Sequence, residues 1–233
     1  MPFAIPISER TRALLNHAAT PEIAPAEAAP LSIRLAVEAA LERGETHYTD
    51  RPGILRLREK IAARLRDRFG MEADAGNDLI VTCGVTEARF VAAQQLLRPG
   101  ETLAAPIGAQ VLVGAAHLRR AQLVASITAQ ARLVYLRSGT PEAVLRSLLA
   151  TVPGTARILF EVDESESRFH PALLPGFADR TATIGALGAE SWRIGYLASP
   201  GGPSSDLRDF KQALTICSTN LSQWAALAEM EEA

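Results

Sequence analysis

Residues 181–200 read TATIGALGAESWRIGYLASP. Two short apolar runs, 181–185 and 193–199, flank a loop of mostly small residues, and Pro200-Gly201-Gly202-Pro203 stops the second run. Runs of this length, bounded by glycine and proline, predict two buried strands. A short loop between two buried strands fixes one edge of a sheet, and the rest of the chain is read against it.

Upstream, strand and helix signals alternate. Strands are predicted at 79–83, 103–106, 122–127, 132–136 and 157–162, the last ending in Asp163-Glu164. Helices are predicted at 88–97, 111–120 and 140–150, the last with Thr140 as N-cap and Pro141 at its first position. Further upstream, Ile33, Ala36, Val37, Ala40 and Leu41 recur at helical spacing ahead of Gly44. A second helix, from Ile54, carries Leu57, Ile61, Leu65 and Phe69 on one face and ends at Gly70. Its other face, with Arg56, Arg58, Glu59, Arg64, Arg66 and Asp67, is predicted to be solvated. Helices at 206–214 and 221–232 follow the opening stretch. The N-terminal residues are rich in alanine and proline and predict a short helix at 8–18 followed by an extended arm. This alternation predicts an α/β fold with a largely parallel sheet flanked by helices.

With 233 residues, 48% of them hydrophobic, the chain is long enough for one large domain, alone or with a small appendage. A net charge of −2 gives no overall pull toward nucleic acid or an anionic membrane. Lysine occurs only at positions 60 and 211, so amine chemistry has two side-chain candidates. Cys83 and Cys217 lie far apart in apolar runs without metal-ligand spacing, which predicts free thiols, a cytoplasmic location and no metal site. No basic leader with a long apolar run opens the sequence, and no stretch has the length and apolarity of a membrane span.

HYTDRPGILRLREKIAARL at 47–65, IVTCGVTEARFVAAQQLLRPGE at 80–101 and the opening stretch appear in one order. Together they resemble the large domain of fold-type I pyridoxal-phosphate (PLP) enzymes, most closely the class I/II aminotransferases. The resemblance runs over about residues 28–228. It implies that Tyr48 reaches the partner subunit's cofactor phosphate and that Gly84, Val85 and Thr86 form an amide cup for that phosphate. It implies that Arg193 grips the phosphate with its planar fork, and that Asp163 pairs with the pyridine nitrogen. Each residue also has a structural reading. Gly84 suits any strand-to-helix turn, Arg193 an ion pair with Glu164 or Glu190, Asp163 a cap or solvent-facing carboxylate, and Tyr48 an interface aromatic.

The sequence departs from the family pattern at the reacting centre. The family's Schiff-base lysine falls at Gly185 by an ungapped count from Arg193, or at Ala189 when the strand is kept in register; neither carries an amine. Ala186 and Gly188 replace two family serines. The loop Pro106-Ile107-Gly108-Ala109-Gln110, where the ring-stacking aromatic is expected, has no aromatic residue. The family's Asn-Pro-x-x-Pro-x-Gly segment, and the strand–helix unit near it, are absent between 157 and 163. The arm's substrate-contacting glycine turn is replaced by IAPAEAAP at 23–30. Lys60 reads as mid-helix and exposed. Lys211 reads as lying beyond the strand that follows Arg193, pointing away from the site with an ordinary amine.

The expectation is therefore an arm at 1–30 and a truncated aminotransferase-like large domain at 31–233, with no C-terminal small domain. The chain is expected to be a homodimer, built through the arm and the Tyr48 loop, with no catalytic residues, no covalently held cofactor and no transaminase activity alone. The function expected is structural or regulatory, with an active aminotransferase-like subunit as a candidate partner. Non-covalent binding of PLP or another phosphorylated small molecule, or an enzyme completed by a partner chain, are the alternatives.

Overall fold

Seven strands form one sheet in the order β1-β7-β6-β5-β4-β2-β3, with β1 (Leu79–Thr82), β2 (Thr102–Ala104), β3 (Gln122–Val124), β4 (Ala131–Arg137), β5 (Arg157–Val162), β6 (Thr181–Ala186) and β7 (Gly195–Ala198). This arrangement is seen in a computed structural model, which describes residues 29–163, 165–188, 192–202 and 204–232. Most of the predicted arm, the helix at 8–18, Glu164, Ala189 and Glu190 lie outside the described residues. From β6 to β3 the strands are parallel, whereas β7 runs antiparallel to both β1 and β6.

Side chains that alternate along each strand divide the core into two faces. Ile80, Leu159, Ile184 and Leu197 point to the face covered by α3 (Gly84–Leu96), α4 (Val113–Arg119) and α6 (Ser204–Thr215). Leu79, Val81 and Tyr196 face α2 (Leu55–Phe69) and α7 (Asn220–Glu232), while Ile158 and Phe160 face α5 (Glu142–Leu149). The periodic residues Leu57, Ile61, Leu65 and Phe69 are all buried, and Gly70 closes α2 in the left-handed conformation at φ 69°. α1 (Leu31–Glu42) packs on α7.

Two expectations change. Helix α3 begins at Gly84 rather than Ala88, so Gly84-Val85-Thr86 are its first turn. Arg58 is buried rather than solvated: its guanidinium donates to the carbonyls of Gly53 (3.0 Å) and Ala75, joining α2 to the loops at either end. A buried arginine whose donors reach carbonyls is tolerated because its polar groups stay paired.

Candidate functional site

The register places the site. Val162 pairs with Gly185, Glu161 with Arg137, and Gly195 with both Ala186 and Thr82. The C-terminal ends of β1, β4, β5 and β6 and the start of β7 therefore share one edge of the sheet. Crevices at such an edge are where ligands bind in open α/β folds. Gly84–Thr86, Asp163 and Arg193 all fall there.

At β1, the Thr82 hydroxyl donates to the Gly84 carbonyl (3.0 Å) and the Cys83 N–H donates to Glu87 Oε2 (2.6 Å). The next N–H groups, of Gly84, Val85 and Thr86, belong to a first helical turn and have no acceptor within the helix. A helix start of this kind favours an anion. Arg193 stands beside it, with its backbone carbonyl 3.7 Å from where a methyl on Gly84 would lie. Arg193 takes a left-handed φ of 54°, costly for a residue with a Cβ, and is exposed with no ion pair among the described residues. The acidic partners expected for a structural role, Glu164 and Glu190, lie outside the described residues.

Beneath the edge, Arg89 of α3 holds Glu161 of β5 in a bidentate pair, both bonds 2.6 Å, and the Tyr135 hydroxyl donates to the same carboxylate at 2.7 Å. Burial, and then the Glu161 charge, push the Tyr135 hydroxyl up and keep it protonated. This network fixes the cup helix to the two central strands. The sequence offered no signal for it.

Asp163 sits at the end of β5. Its Oδ1 accepts from the Ser138 hydroxyl (2.7 Å) and the Ser165 N–H (3.1 Å). Its Oδ2 accepts from the Gly139 N–H (3.0 Å) and lies 3.7 Å from Arg137 Nη2. These bonds outweigh partial burial and hold the carboxyl below its usual range, so Asp163 is ionised. Arg68 of α2 clamps the following loop through the carbonyls of Asp163 (3.0 Å), Ser165 and Ser167 (3.1 Å).

The other expected parts are distributed differently. Tyr48 is 64% exposed, and its ring lies against His47. At Gly185, a methyl group would sit 2.7 Å from the Tyr196 hydroxyl and 2.8 Å from its ring, so a side chain at that position would require the Tyr196 ring to shift. Ala189 lies outside the described residues.

Lys211 overturns its expectation. Its side chain is fully buried on α6, near Glu87, Cys83 and Cys217, and Nζ has no hydrogen-bond partner among the described residues. Burial lowers its pKa against the opposing pull of Glu87. It points to the cup helix, not away from it. A lysine on an otherwise amphipathic helix gives no sequence signal of such burial.

No family-wide sequence profile matches the chain. Individual relatives do. The arginine–pyruvate transaminase AruH of Pseudomonas aeruginosa is 29% identical over 236 residues, covering 84% of this chain and 59% of that protein. The methionine aminotransferase of Escherichia coli K12 is 26% identical, covering 81% of this chain and 58% of that one. The chain's relatives are aminotransferases. Its fold is theirs too: the aspartate aminotransferase of Thermus thermophilus, solved with maleate, superposes with a TM-score of 0.75 at 21% identity, covering 87% of this chain and 62% of that one. The chain thus spans about three-fifths of the length of the relatives it matches.

Aminotransferases of this fold use PLP, so the residues can be tested against that group. The phosphate end offers three first-turn N–H groups, with the Arg193 backbone packed beside them. The ring end does not fit. Tyr196 fills the space at Gly185, and the Asp163 carboxylate is already engaged by four groups of its own chain.

Proposed function

We propose that this protein is a catalytically degenerate aminotransferase-like chain with a structural or regulatory role. The carrying observation is that neither candidate position for the lysine offers an amine: Gly185 lies against the Tyr196 hydroxyl and ring, and position 189 is alanine. A Schiff base needs a neutral amine within reach of the carbonyl carbon, and that end of β6 supplies none among the described residues. Lys211 is buried within the α3–α6 layer, and Lys60 lies on α2 two turns before Arg68, beside Arg64 and Glu166. The test is incubation with PLP, borohydride reduction and digestion. Scattered, substoichiometric pyridoxyl-lysine and no amino-group transfer are expected. Stoichiometric labelling at one lysine, together with transfer from an amino acid to a keto acid, would overturn the reading.

In this reading residues 31–233 act as a large domain and 1–30 as an arm, and two copies associate in the cytoplasm through the arm and Tyr48 loop. Exposed Leu31, Leu35, Tyr48 and Leu55 support a covered face there. Free Cys83 and Cys217 suit a reducing compartment, and among the described residues no helix is long and apolar enough to cross a membrane. An active aminotransferase-like subunit is the alternative partner.

A second reading is favoured by one observation: Arg193, strained, exposed and without an ion pair among the described residues, stands beside the free first-turn amides. It makes the chain a non-covalent binder of PLP or another phosphorylated small molecule, with Gly84, Val85, Thr86 and Arg193 holding the phosphate.

A further inference from the structure

Gly108, Arg137 and Asp163 form a continuous line across the ring end of the site. Gly108 belongs to the loop where an aromatic residue was expected, and the Arg137 side chain lies against it. A methyl on Gly108 would lie 3.4 Å from Arg137 Cδ and 4.0 Å from its Nη1. Beyond that contact, Arg137 Nη2 reaches to 3.7 Å from Asp163 Oδ2, while its Nε is buried without a partner among the described residues. The carboxylate is closed from the other side as well: a methyl on Gly139 would lie 2.5 Å from Oδ2. An ionised carboxylate offers about four acceptor positions. Ser138, Ser165 and Gly139 occupy three of them by hydrogen bonds, and Arg137 faces the carboxylate as an ion pair at 3.7 Å.

We propose that the Arg137 side chain occupies the place of a ring between the Gly108 loop and Asp163, so that the site takes small phosphate monoesters lacking an aromatic ring. The guanidinium is planar and cationic, and it gives Asp163 the kind of partner that a protonated ring nitrogen would give. The choice of ligand rests on the phosphate-cup reading; the occupancy of the ring position by Arg137 does not.

The experiment compares the full chain with Arg137→Ala by titration calorimetry, using inorganic phosphate, pyridoxamine 5′-phosphate and pyridoxine as probes. Pyridoxamine phosphate has no aldehyde and pyridoxine has no phosphate. The wild-type chain is expected to bind phosphate at least as tightly as pyridoxamine phosphate and to show no pyridoxine binding. Arg137→Ala is expected to gain tenfold or more for pyridoxamine phosphate, to gain measurable pyridoxine binding, and to keep its phosphate affinity within about twofold. A folded Arg137→Ala chain with no gain for either ring compound overturns the proposal, as does a wild-type preference for pyridoxamine phosphate over phosphate. If phosphate fails to bind either chain while pyridoxine binds only the variant, the cup reading fails and the Arg137 assignment stands. Arg137→Gln, shorter and uncharged but still polar, carries the same comparison should the alanine variant not fold.

Discussion

Gly195 and Val85 are packed backbone against backbone: a methyl on Gly195 would lie 2.8 Å from the Val85 nitrogen and 2.6 Å from the Gly84 carbonyl carbon. Neither neighbour is a side chain that can swing aside. Gly195→Ala is therefore expected to lower stability by about 1–3 kcal/mol or more, the range for overpacking. It should also displace the first turn of α3. Denaturant unfolding checks the first effect, and loss of any phosphate binding checks the second. A variant as stable as the parent would contradict the packing.

Arg193→Ala should act in the opposite way. Its side chain makes no ion pair among the described residues, so melting should be nearly unchanged. Phosphate binding should weaken by about 1.5–3 kcal/mol, the usual worth of a charge-assisted hydrogen bond. Calorimetry beside a melting curve separates a ligand-binding arginine from a structural one.

Lys211 is buried beside Glu87 without a hydrogen bond to it or to any described residue. Its folded pKa is depressed, so between that value and the ordinary lysine value of ~10.4 the unfolded chain binds more protons. Stability should consequently rise as pH increases from neutral toward that value. Lys211→Met should flatten this dependence and raise stability at neutral pH by about 1–3 kcal/mol, the cost of an unsatisfied buried polar group. Denaturation midpoints for both chains across that range measure it; an unchanged slope would show that Lys211 is satisfied.

His170 makes the acid side of the same argument. Its Nδ1 accepts from the Ala172 N–H (3.1 Å), which leaves Nε2–H to donate to Thr183 Oγ1 (3.0 Å). Burial pushes its pKa down to about 3. The unfolded chain protonates first, near ~6.5, so the neutral ring's contribution is present above that value and drains away as pH falls toward the folded pKa. The loss is expected to approach roughly 5 kcal/mol, at ~1.4 kcal/mol per unit of the difference, and His170→Asn should remove the slope. Unfolding curves between neutral and acid pH read it directly.

Self-association provides a further check. Leu31 and Leu35 stand one helical turn apart on α1, 62% and 53% exposed. Leu35→Glu should shift a dimer toward the 24.9 kDa single chain in sedimentation at micromolar concentration. A parent chain that sediments only at that mass would refute association.

Periodicity made the elements legible, because apolar spacing at 57, 61, 65 and 69 and the apolar runs at 79–82 and 157–162 depend only on which face is buried. It could not show that β7 reverses direction, since a strand's pattern is the same read either way. The junction at Gly84-Val85-Thr86 was legible because a strand–glycine–helix turn is a local feature. The ring end was not. Its decisive contacts, Arg137 with Asp163 and Tyr196 against Gly185, join different strands, and the sequence records neither pairing nor register. Arg58 and Lys211 were misplaced for one reason: charged residues are rarely interior, and only the partners or crowding around them show that these two are.

The reversal of β7 has an evolutionary meaning. Because Gly195 pairs at once with Thr82 and Ala186, the distance from Gly84 to Arg193 is measured out by neighbouring strands, about 4.8 Å apart, and not by any loop. Substitutions accumulating in the loops after β2, β4 and β6 can dismantle the ring end piece by piece while the sheet stays paired. The backbone of the first α3 turn cannot shift that way without unzipping β1 from β7. Selection for a folded chain alone is thus enough to hold that turn in place, whatever becomes of the side chains around it.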